Sequence, residues 1–383
     1  MRVEFIASIN EVNAAQWNDI SGIDYPFIRH EFLAALENSG CTNEKSGWRP
    51  YHALVYQHDV LCAVLPLYLK THSYGEYVFD WSWADAYRQN GIPYYPKLVS
   101  SIPFTPSTGP RLCVNNADYG VVLATIFDAI TQVCEQDKIS GWHLLFTEQD
   151  KKSACSSVNL MHRIGSQYHW FNNSYQSFDD FLAAFSSRKR KNLRKERKRV
   201  FEQDITFKVL SGNELTAEVW ERFYYFYQIT YAKRSGHGGY LNEDFFNALS
   251  QTMSQQIVLV MAYQNGEAVA GALNFKSSDT LYGRYWGTVV DIDGLHFETC
   301  YYQGIEYCIA NGLQKFDPGA QGEHKIQRGF TPIETDSWHW LAHEGFSDAV
   351  ADFLDRETVH IKEYIVDAAV ALPFKRDKWY LLS

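Results

Sequence analysis

Regular cysteine pairs are missing from this sequence. Its seven cysteines are an odd number and widely spaced, with neither a CxxC pair nor a finger-like spacing to histidine. Disulfide frameworks and structural zinc sites usually have such pairs, so the pattern argues against both and we predict no metal site. Scattered cysteines are typical of reduced thiols, and we therefore expect a cytoplasmic protein.

Long apolar runs are lacking as well. No window approaches the roughly 18 uninterrupted apolar residues that a membrane span needs. The first residues, MRVEFIASINEVNAAQW, carry charges inside their apolar stretch and offer no small-residue cleavage site. We predict neither a membrane span nor a signal peptide.

Familiar nucleophile and phosphate motifs are the third absence. The sequence has no GxSxG elbow, no P-loop and no HExxH, and its cysteines lie in no catalytic signature. For a group-transfer enzyme, this favours direct attack by an acceptor amine over a covalent enzyme intermediate.

Positive charge is abundant in one place only. Residues 188–199 hold nine Lys or Arg and the single acid Glu196, a net +8 in a chain of net charge −10. The rest of the chain is therefore strongly acidic, which argues against a general polyanion-binding surface. Phe185, Leu193 and Val200 form a narrow apolar seam, which predicts a helix packed along one edge.

The exposed cations of that helix are expected to meet phosphate, although a merely solvated face is the alternative. No helix-turn-helix, zinc-finger or RNP signature accompanies them, so we predict no DNA binding, whereas the phosphates of an acyl donor or of tRNA require only positioned cations. The candidate phosphate-binding residues are Arg188, Arg190, Lys191 and Arg194.

An internal similarity indicates the fold. YQHDVLCAVLPLYLK (residues 56–70) and YQNGEAVAGALNFK (residues 263–276) each follow an apolar strand and contain a polar turn. Asn265-Gly266 predicts a type I′ hairpin, because both positions need a positive φ. The long separation of the two copies predicts a duplicated domain. The order of strands, one helix over residues 296–311 and a further strand predicts a mixed α/β unit.

The segment FDPGAQGEHKIQRGF (residues 316–330) is the strongest candidate site. It follows a predicted strand, which is where α/β proteins usually place their chemistry, and its glycines allow close approach of a ligand. Glu323 or His324 is the candidate general base, and Asp317 would orient the acceptor. Lys325 would neutralise an anionic group. A solvated turn is the alternative.

Two further groups are candidates for substrate binding. Tyr282, Arg284 and Tyr285 lie on the preceding predicted strand, in TLYGRYWG, and would line the cleft. In the first half of the chain, DWSWAD alternates acids with indoles, which makes Asp80, Trp83 and Asp85 candidates. Packing of the tryptophans is the alternative there.

These motifs resemble a known family. SRKRKNLRKERKRV, the second hairpin and KFDPGAQGEHKIQRGF are similar to the C-terminal half of FemAB-like N-acyltransferases, which are built on the GNAT fold. LPLYLKTHSYGEYVFDWSWADAYRQNG and YYPKLVSSIPFTP are similar to the bacterial group of predicted N-acyltransferases of peptidoglycan biosynthesis. The resemblance covers nearly the whole chain.

The resemblance implies an α/β fold of two tandem GNAT-like domains, with mixed central sheets flanked by helices. We expect the domains at residues 1–172 and 173–383, with the last helix packing back on the first. It also implies an N-acyltransferase that uses acyl-CoA or aminoacyl-tRNA as cosubstrate, without a tightly bound cofactor. The acceptor would be an amine, and an amine of a cell-wall precursor is one candidate. The competing hypothesis is a noncatalytic tRNA- or RNA-binding protein that uses residues 188–199.

Overall fold

The computed structural model describes residues 1–236, 238–320 and 322–375. In chain order the strands are β1 (Arg2–Ile6), β2 (Trp48–Pro50), β3 (His52–Gln57), β4 (Val60–Leu65), β5 (Tyr68–Lys70), β6 (Lys97–Ser100), β7 (Cys113–Val114), β8 (Gly141–Thr147), β9 (Met161–Phe171), β10 (Ile205–Ser211), β11 (Ile257–Gln264), β12 (Glu267–Lys276), β13 (Thr280–Thr288), β14 (Lys315–Asp317) and β15 (Thr331–Leu341).

The helices are α1 (Ala14–Ser21), α2 (His30–Asn38), α3 (Trp81–Gln89), α4 (Tyr119–Asp137), α5 (Lys152–Ser156), α6 (Phe178–Ala183), α7 (Ser187–Phe201), α8 (Ala217–Ser235), α9 (Glu243–Thr252), α10 (Leu295–Phe297), α11 (Gln303–Ala310) and α12 (Glu344–Val370). None of the helices in the described part of the chain is both long and apolar enough to cross a membrane.

The chain forms two compact units. Unit 1 comprises Met1–Ser166 and Glu334–Glu363; unit 2 comprises Gln167–Ile333 and the described residues from Tyr364 onward. The boundary expected from the sequence lies between residues 172 and 173, whereas the first boundary in the structure lies between residues 166 and 167. The polar run 167–176 is not a linker, because it begins as the second half of β9, where residues 167–170 are buried. The division differs also because residues 334–363, which include most of α12, belong to unit 1.

Unit 1 contains two sheets. One has the order β1-β3-β4-β7, and the other includes the run β15-β8-β6-β5-β2, in which β6 and β8 are parallel and the remaining neighbours are antiparallel. Helix α4 packs its apolar stripe, including Ile126 and Ile130, onto Val55, Leu98 and Trp142. Burial of this apolar surface holds the helix against the sheets.

Unit 2 has a sheet with the order β10-β11-β12-β13-β14-β9. Its pairs are antiparallel except for β13 and β14, which are parallel. Its main core contains Trp170, Phe181, Ile305, Phe316 and Phe330. Each unit therefore contains a mixed run of strands flanked by helices, in agreement with the expected α/β fold.

Each unit also contains one of the two similar hairpins. The turn between β3 and β4 has positive φ at His58 and Asp59, and the turn between β11 and β12 has positive φ at Asn265 and Gly266. The type I′ geometry predicted for Asn265-Gly266 requires this conformation at both positions.

The predicted helix over residues 296–311 contains an irregularity that its apolar period does not show. A π-helical turn, Glu298–Tyr302, separates α10 from α11. The extra residue in this turn rotates the helix face, so Glu298 and Tyr302 are buried while Cys300 is only partly so. Such turns occur frequently at functional sites.

Candidate active site

An open strand edge lies at the centre of unit 2. Strands β13 and β14 pair only from Thr280 with Lys315 to Tyr282 with Asp317. Residues 283–288 continue β13 and pair with β12, but no described strand pairs with them on the other side. Because successive N–H groups of a strand point to opposite sides, part of this edge can donate hydrogen bonds to a ligand.

Asp317 and Arg284 form a buried ion pair where the two strands diverge. Arg284 Nη2 donates to Asp317 Oδ2 at 2.7 Å, and both side chains are 1 % exposed. A bulge between Leu273 and Asn274 leaves Arg284 outside the regular register of β13. The backbone N–H of Gly319 donates to Asp317 Oδ1 at 3.0 Å. The carboxylate is therefore fixed from two sides.

The groups around the Asp317 carboxylate keep it ionised. Burial by itself would raise its pKa, but Arg284, His169 and the Gly319 amide outweigh burial and hold the pKa well below its usual range. His169 Nε2 lies 3.6 Å from Asp317 Oδ1. Burial lowers the pKa of His169 to about 4, against the opposing effect of Asp317, so this imidazole is neutral near pH 7.

Lys325 is buried in the 3₁₀ helix Glu323–Arg328, just beyond this ion pair. Its Nζ donates to the carbonyl oxygen of Gly319 at 2.6 Å. Burial lowers the pKa of Lys325 to about 8; Asp317 raises this pKa and Arg284 lowers it. A fraction of Lys325 is therefore uncharged near neutral pH, as expected for a lysine in a site that performs chemistry.

His324 faces an aromatic group on the neighbouring helix. Its Nε2 lies 2.9 Å from the hydroxyl oxygen of Tyr301, and its ring centroid is 5.4 Å from that of Phe297. Burial, followed by Arg328 and Lys325, lowers the pKa of His324, while Glu196 raises it. A neutral imidazole results, which is the form able to accept a proton.

Glu323 is on the exposed side of the same 3₁₀ helix. Its Oε1 accepts a hydrogen bond from the Tyr364 hydroxyl at 2.8 Å.

Tyr282 and Tyr285 are buried within β13, and the Tyr285 ring packs against Tyr227 with centroids 5.9 Å apart. The structure thus brings Asp317, Arg284 and Lys325 together and places His324 beside them.

The basic helix is α7, which contains Leu193 and Val200 of the predicted seam, whereas Phe185 precedes the helix. Phe185, Leu193 and Val200 are all buried. Arg194 forms an exposed ion pair with Asp179 at 2.7 Å. In the described part of the chain, no ion pair involves Arg188, Arg190, Lys191 or Lys195.

The candidates of unit 1 separate into two environments. Asp80 and Trp83 are buried, whereas Asp85 is exposed and pairs with Arg88 at 3.0 Å. Asp80 accepts hydrogen bonds from Lys97 and from the Tyr94 hydroxyl. Burial would raise the pKa of Asp80, but Lys97 outweighs it and holds this pKa well below the usual range. Asp80 is thus part of a buried network.

Sequence reasoning did not identify His169, Tyr301 or Arg328. His169 belongs to a strand segment, YHWF, that the sequence assigns only to a boundary region, and it reaches Asp317 because β9 neighbours β14. Arg328 follows Lys325 by one turn of 3₁₀ helix, where residues three apart share a face. This three-residue spacing is the sequence signal that could have identified Arg328.

Comparisons with known proteins agree with this architecture. The FemAB-like family model, described as peptidoglycan biosynthesis/recognition, matches residues 8–376. The crystal structure of FemX superposes with a TM-score of 0.53 at 12 % identity, covering 92 % of this chain and 100 % of that one. No curated protein matches the chain significantly.

A second solved structure has the same fold. It is the C-terminal domain of a putative lysylphosphatidylglycerol synthetase from Agrobacterium fabrum, with a TM-score of 0.53 at 10 % identity, covering 90 % of this chain and 96 % of that domain. At these identities the two solved structures show a shared fold, and the match of the family model shows the family. The chain belongs to the FemAB-like family.

Proposed function

We propose that the chain transfers an acyl or aminoacyl group from acyl-CoA or aminoacyl-tRNA to an amine, at the open edge of β13 in unit 2. The observation that carries the proposal is the buried cluster of Asp317, Arg284 and Lys325 where β13 and β14 diverge. A strand edge that no described strand covers, lying beside fixed charges, is suited to a reaction in which a carbonyl oxygen becomes negative.

The transfer is a direct displacement. The acceptor nitrogen attacks the acyl carbonyl, a C–N bond forms, and the thioester C–S bond or the ester C–O bond breaks. Backbone N–H groups of β13 that point away from β12, before Thr288, would stabilise the developing oxyanion. Neutral His324 or Glu323 would take the proton from the amine, and the leaving thiolate or alkoxide would be protonated in turn.

The remaining residues would bind the two substrates. Asp317, held ionised, would orient the ammonium or amine of the acceptor, and Lys325 would neutralise an anionic group. Tyr282, Arg284 and Tyr285 would line the site. We propose Asp80, Trp83 and Asp85 as contributors to substrate binding in unit 1. The burial of Asp80 and Trp83 favours an indirect role for these two residues.

The acceptor we propose is an amine of a peptidoglycan precursor, since the family description refers to peptidoglycan. A cytoplasmic reaction is part of the proposal, supported by the unpaired pattern of cysteines in the sequence. The deciding experiment incubates the purified protein with charged tRNA or with acyl-CoA and a lysine-containing precursor, and follows acylated product by mass spectrometry. Asp317→Asn should abolish product formation with either donor, and unchanged turnover would contradict the proposal.

The exposed cations of α7 favour a phosphate-bearing donor. Arg188, Lys191 and Lys195 follow each other at spacings of three and four residues, so they share one face of the helix. None of the three forms an ion pair with a described residue. The second candidate function, noncatalytic binding of tRNA or RNA, depends on this same face.

Salt dependence tests the tRNA-based forms of both functions. The slope of log affinity against log salt falls by about 0.7 for each lost contact with single-stranded phosphate. Replacing Arg188, Lys191 and Lys195 by glutamine should therefore reduce the magnitude of the slope for tRNA by about 2. A slope near zero in the unmodified protein would refute tRNA binding and leave acyl-CoA as the donor.

A further inference from the structure

The single acid of the basic helix makes a contact that its sequence context does not suggest. Glu196 accepts two hydrogen bonds from Arg328, from Nε at 3.1 Å and from Nη2 at 2.7 Å. It also accepts one from the Tyr302 hydroxyl. A bidentate pair between guanidinium and carboxylate is strong and has a defined direction. Glu196 therefore connects α7 to the 3₁₀ helix Glu323–Arg328.

The guanidinium of Arg328 makes further contacts besides those to Glu196. Its third nitrogen, Nη1, donates to the backbone carbonyl of His324 at 2.7 Å. Its guanidinium carbon lies 3.4 Å from the centroid of the Phe297 ring, a cation–π contact. The side chain is 9 % exposed. Fixing Arg328 in this way also fixes the peptide of His324.

The 3₁₀ helix depends on such external contacts because glycines flank it. Gly322 has φ 116° and Gly329 has φ 85°. Glycine adopts these positive φ angles without the steric cost that other residues meet. A Cβ on Gly322 would lie 2.3 Å from the His324 ring, and a Cβ on Gly329 would lie 2.9 Å from Phe181. The positive φ angles therefore favour glycine at both positions, and the contacts of Arg328 hold the segment between them.

We propose that Glu196 and Arg328 are positioning residues, which hold the segment carrying His324 and Lys325 against α7 in the geometry that acyl transfer needs. This inference rests on the proposed function. It gives the lone acid of the basic helix a role distinct from that of the cations around it. Neither residue touches the reacting groups; both act through His324 and Lys325.

The charges around His324 provide a specific test. Arg328 and Lys325 lower the pKa of His324, whereas Glu196 raises it. The other groups that face this ring are Tyr301, through its hydroxyl, and His296, whose ring centroid is 6.3 Å away. Burial, followed by Arg234 and His324, lowers the pKa of His296 to about 3, so His296 stays neutral in the relevant range.

Removal of Glu196 and removal of Arg328 should therefore shift the pKa of His324 in opposite directions. Glu196→Gln removes the negative charge and should lower the midpoint, and Arg328→Gln removes the positive charge and should raise it, each by about half a pH unit. The measurement is an NMR titration of the full chain with labelled histidine, in which a His324→Gln variant assigns the signal. Opposite shifts would show that both charges act on His324 in the folded protein.

The next residue of α7 supplies the matched control. Arg197 forms a partly buried pair with Glu298 at 2.6 Å, but it does not contact the segment 322–329. Arg197→Gln should lower stability and leave the His324 midpoint within about 0.2 pH unit of the unmodified protein. Hydrogen exchange of residues 322–330 should accelerate about tenfold or more in Arg328→Gln but not in Arg197→Gln.

Two milder variants keep the proposal testable if Glu196→Gln or Arg328→Gln fails to fold. Tyr302→Phe removes only one hydrogen bond from Glu196, and Arg328→Lys keeps the charge without the bidentate contact. Arg328→Lys should accelerate exchange of the segment while leaving the His324 midpoint near its original value. Shifts in the same direction in Glu196→Gln and Arg328→Gln, or equal effects of Arg197→Gln, would overturn the proposal.

Activity separates this inference from the proposed function. With aminoacyl-tRNA or acyl-CoA as the donor, kcat should fall about tenfold or more in Glu196→Gln and Arg328→Gln, with KM within about threefold. Opposite NMR shifts in a protein that shows no turnover would refute the transferase but not the positioning pair. Turnover that Arg328→Gln leaves unchanged would refute the positioning role alone.

Discussion

Two buried lysines should respond in opposite ways to the same substitution. Lys325 in unit 2 and Lys97 in unit 1 are both buried. Burial lowers the pKa of Lys325 to about 8. For Lys97, the attraction of Asp80 and Glu76 outweighs burial and raises the pKa. Methionine retains most of the apolar stem of either side chain, so Lys→Met mainly removes the charge.

The magnitude follows from these pKa values. Lowering the pKa of Lys325 from 10.5 to about 8 means that its charged form costs the folded state about 3 kcal/mol. Loss of the hydrogen bond to Gly319 offsets about 1 kcal/mol. Lys325→Met should therefore stabilise unit 2 by about 2 kcal/mol at pH 7, although we expect it to impair acyl transfer.

Lys97→Met should destabilise unit 1. Lys97 donates to Ser73 at 2.9 Å and to Glu76 at 2.8 Å, and it also pairs with Asp80. Removing it leaves Asp80 without its cation and Glu76 with only the longer pair to Lys70, at 4.0 Å, which costs about 3 to 5 kcal/mol. Because the folded-state pKa of Lys97 exceeds its unfolded value, this stabilisation is fully present at pH 7 and is lost only as pH rises through the raised pKa.

Urea unfolding at two pH values checks the reasoning. Between about pH 8 and 10.5 the unfolded chain holds a proton on Lys325 that the folded chain has released, so stability of the unmodified protein rises with pH. The advantage of Lys325→Met should therefore be largest at pH 7 and smaller near pH 9.5. If Lys325→Met lowers the free energy of unfolding at pH 7 by more than about 1 kcal/mol, then Lys325 is a structural residue and its charge imposes no cost.

Two other substitutions test the surroundings of the site. Asp317→Asn removes the charge that raises the pKa of Lys325, so this pKa should fall below its present value, and a chemical-modification profile of Lys325 against pH would measure the change. Gly287→Ala would place a Cβ 2.2 Å from the backbone carbon of Phe226 in α8, whereas Gly238→Ala meets nothing within 4 Å. Thermal unfolding should show a loss of roughly 2 kcal/mol or more for Gly287→Ala and a much smaller change for Gly238→Ala.

Local patterns predict the elements that are fixed by local chemistry. The hairpin at Asn265-Gly266 depends on two positive φ angles, and the seam of α7 depends on the helical period, so both can be read from a few neighbouring residues. The position of Asp317 at a strand end is predicted in the same way. The family resemblance supplies the duplication of the fold, which the repeat supports independently.

Contacts between distant residues are not predictable from such patterns. His169 reaches Asp317 only because β9 lies beside β14 in the sheet. The buried acid Glu298 faces inward because the π-helical turn rotates it toward Arg197. Neither the strand order nor the extra residue in the turn has a period in the sequence, so both follow from packing of the whole unit.

The charges of α7 are arranged in a way that explains the basic run in an acidic chain. Arg197 faces inward and is neutralised by Glu298, while Glu196 binds Arg328. The outer face has like charges at i, i+4, such as Lys191 and Lys195, which cost a few tenths of a kcal/mol per pair. The described chain offers these two lysines no counter-charge. The helix is thus stabilised on its inner side and left electrostatically strained outside, where a phosphate-bearing donor would relieve the repulsion and stabilise the folded protein by binding.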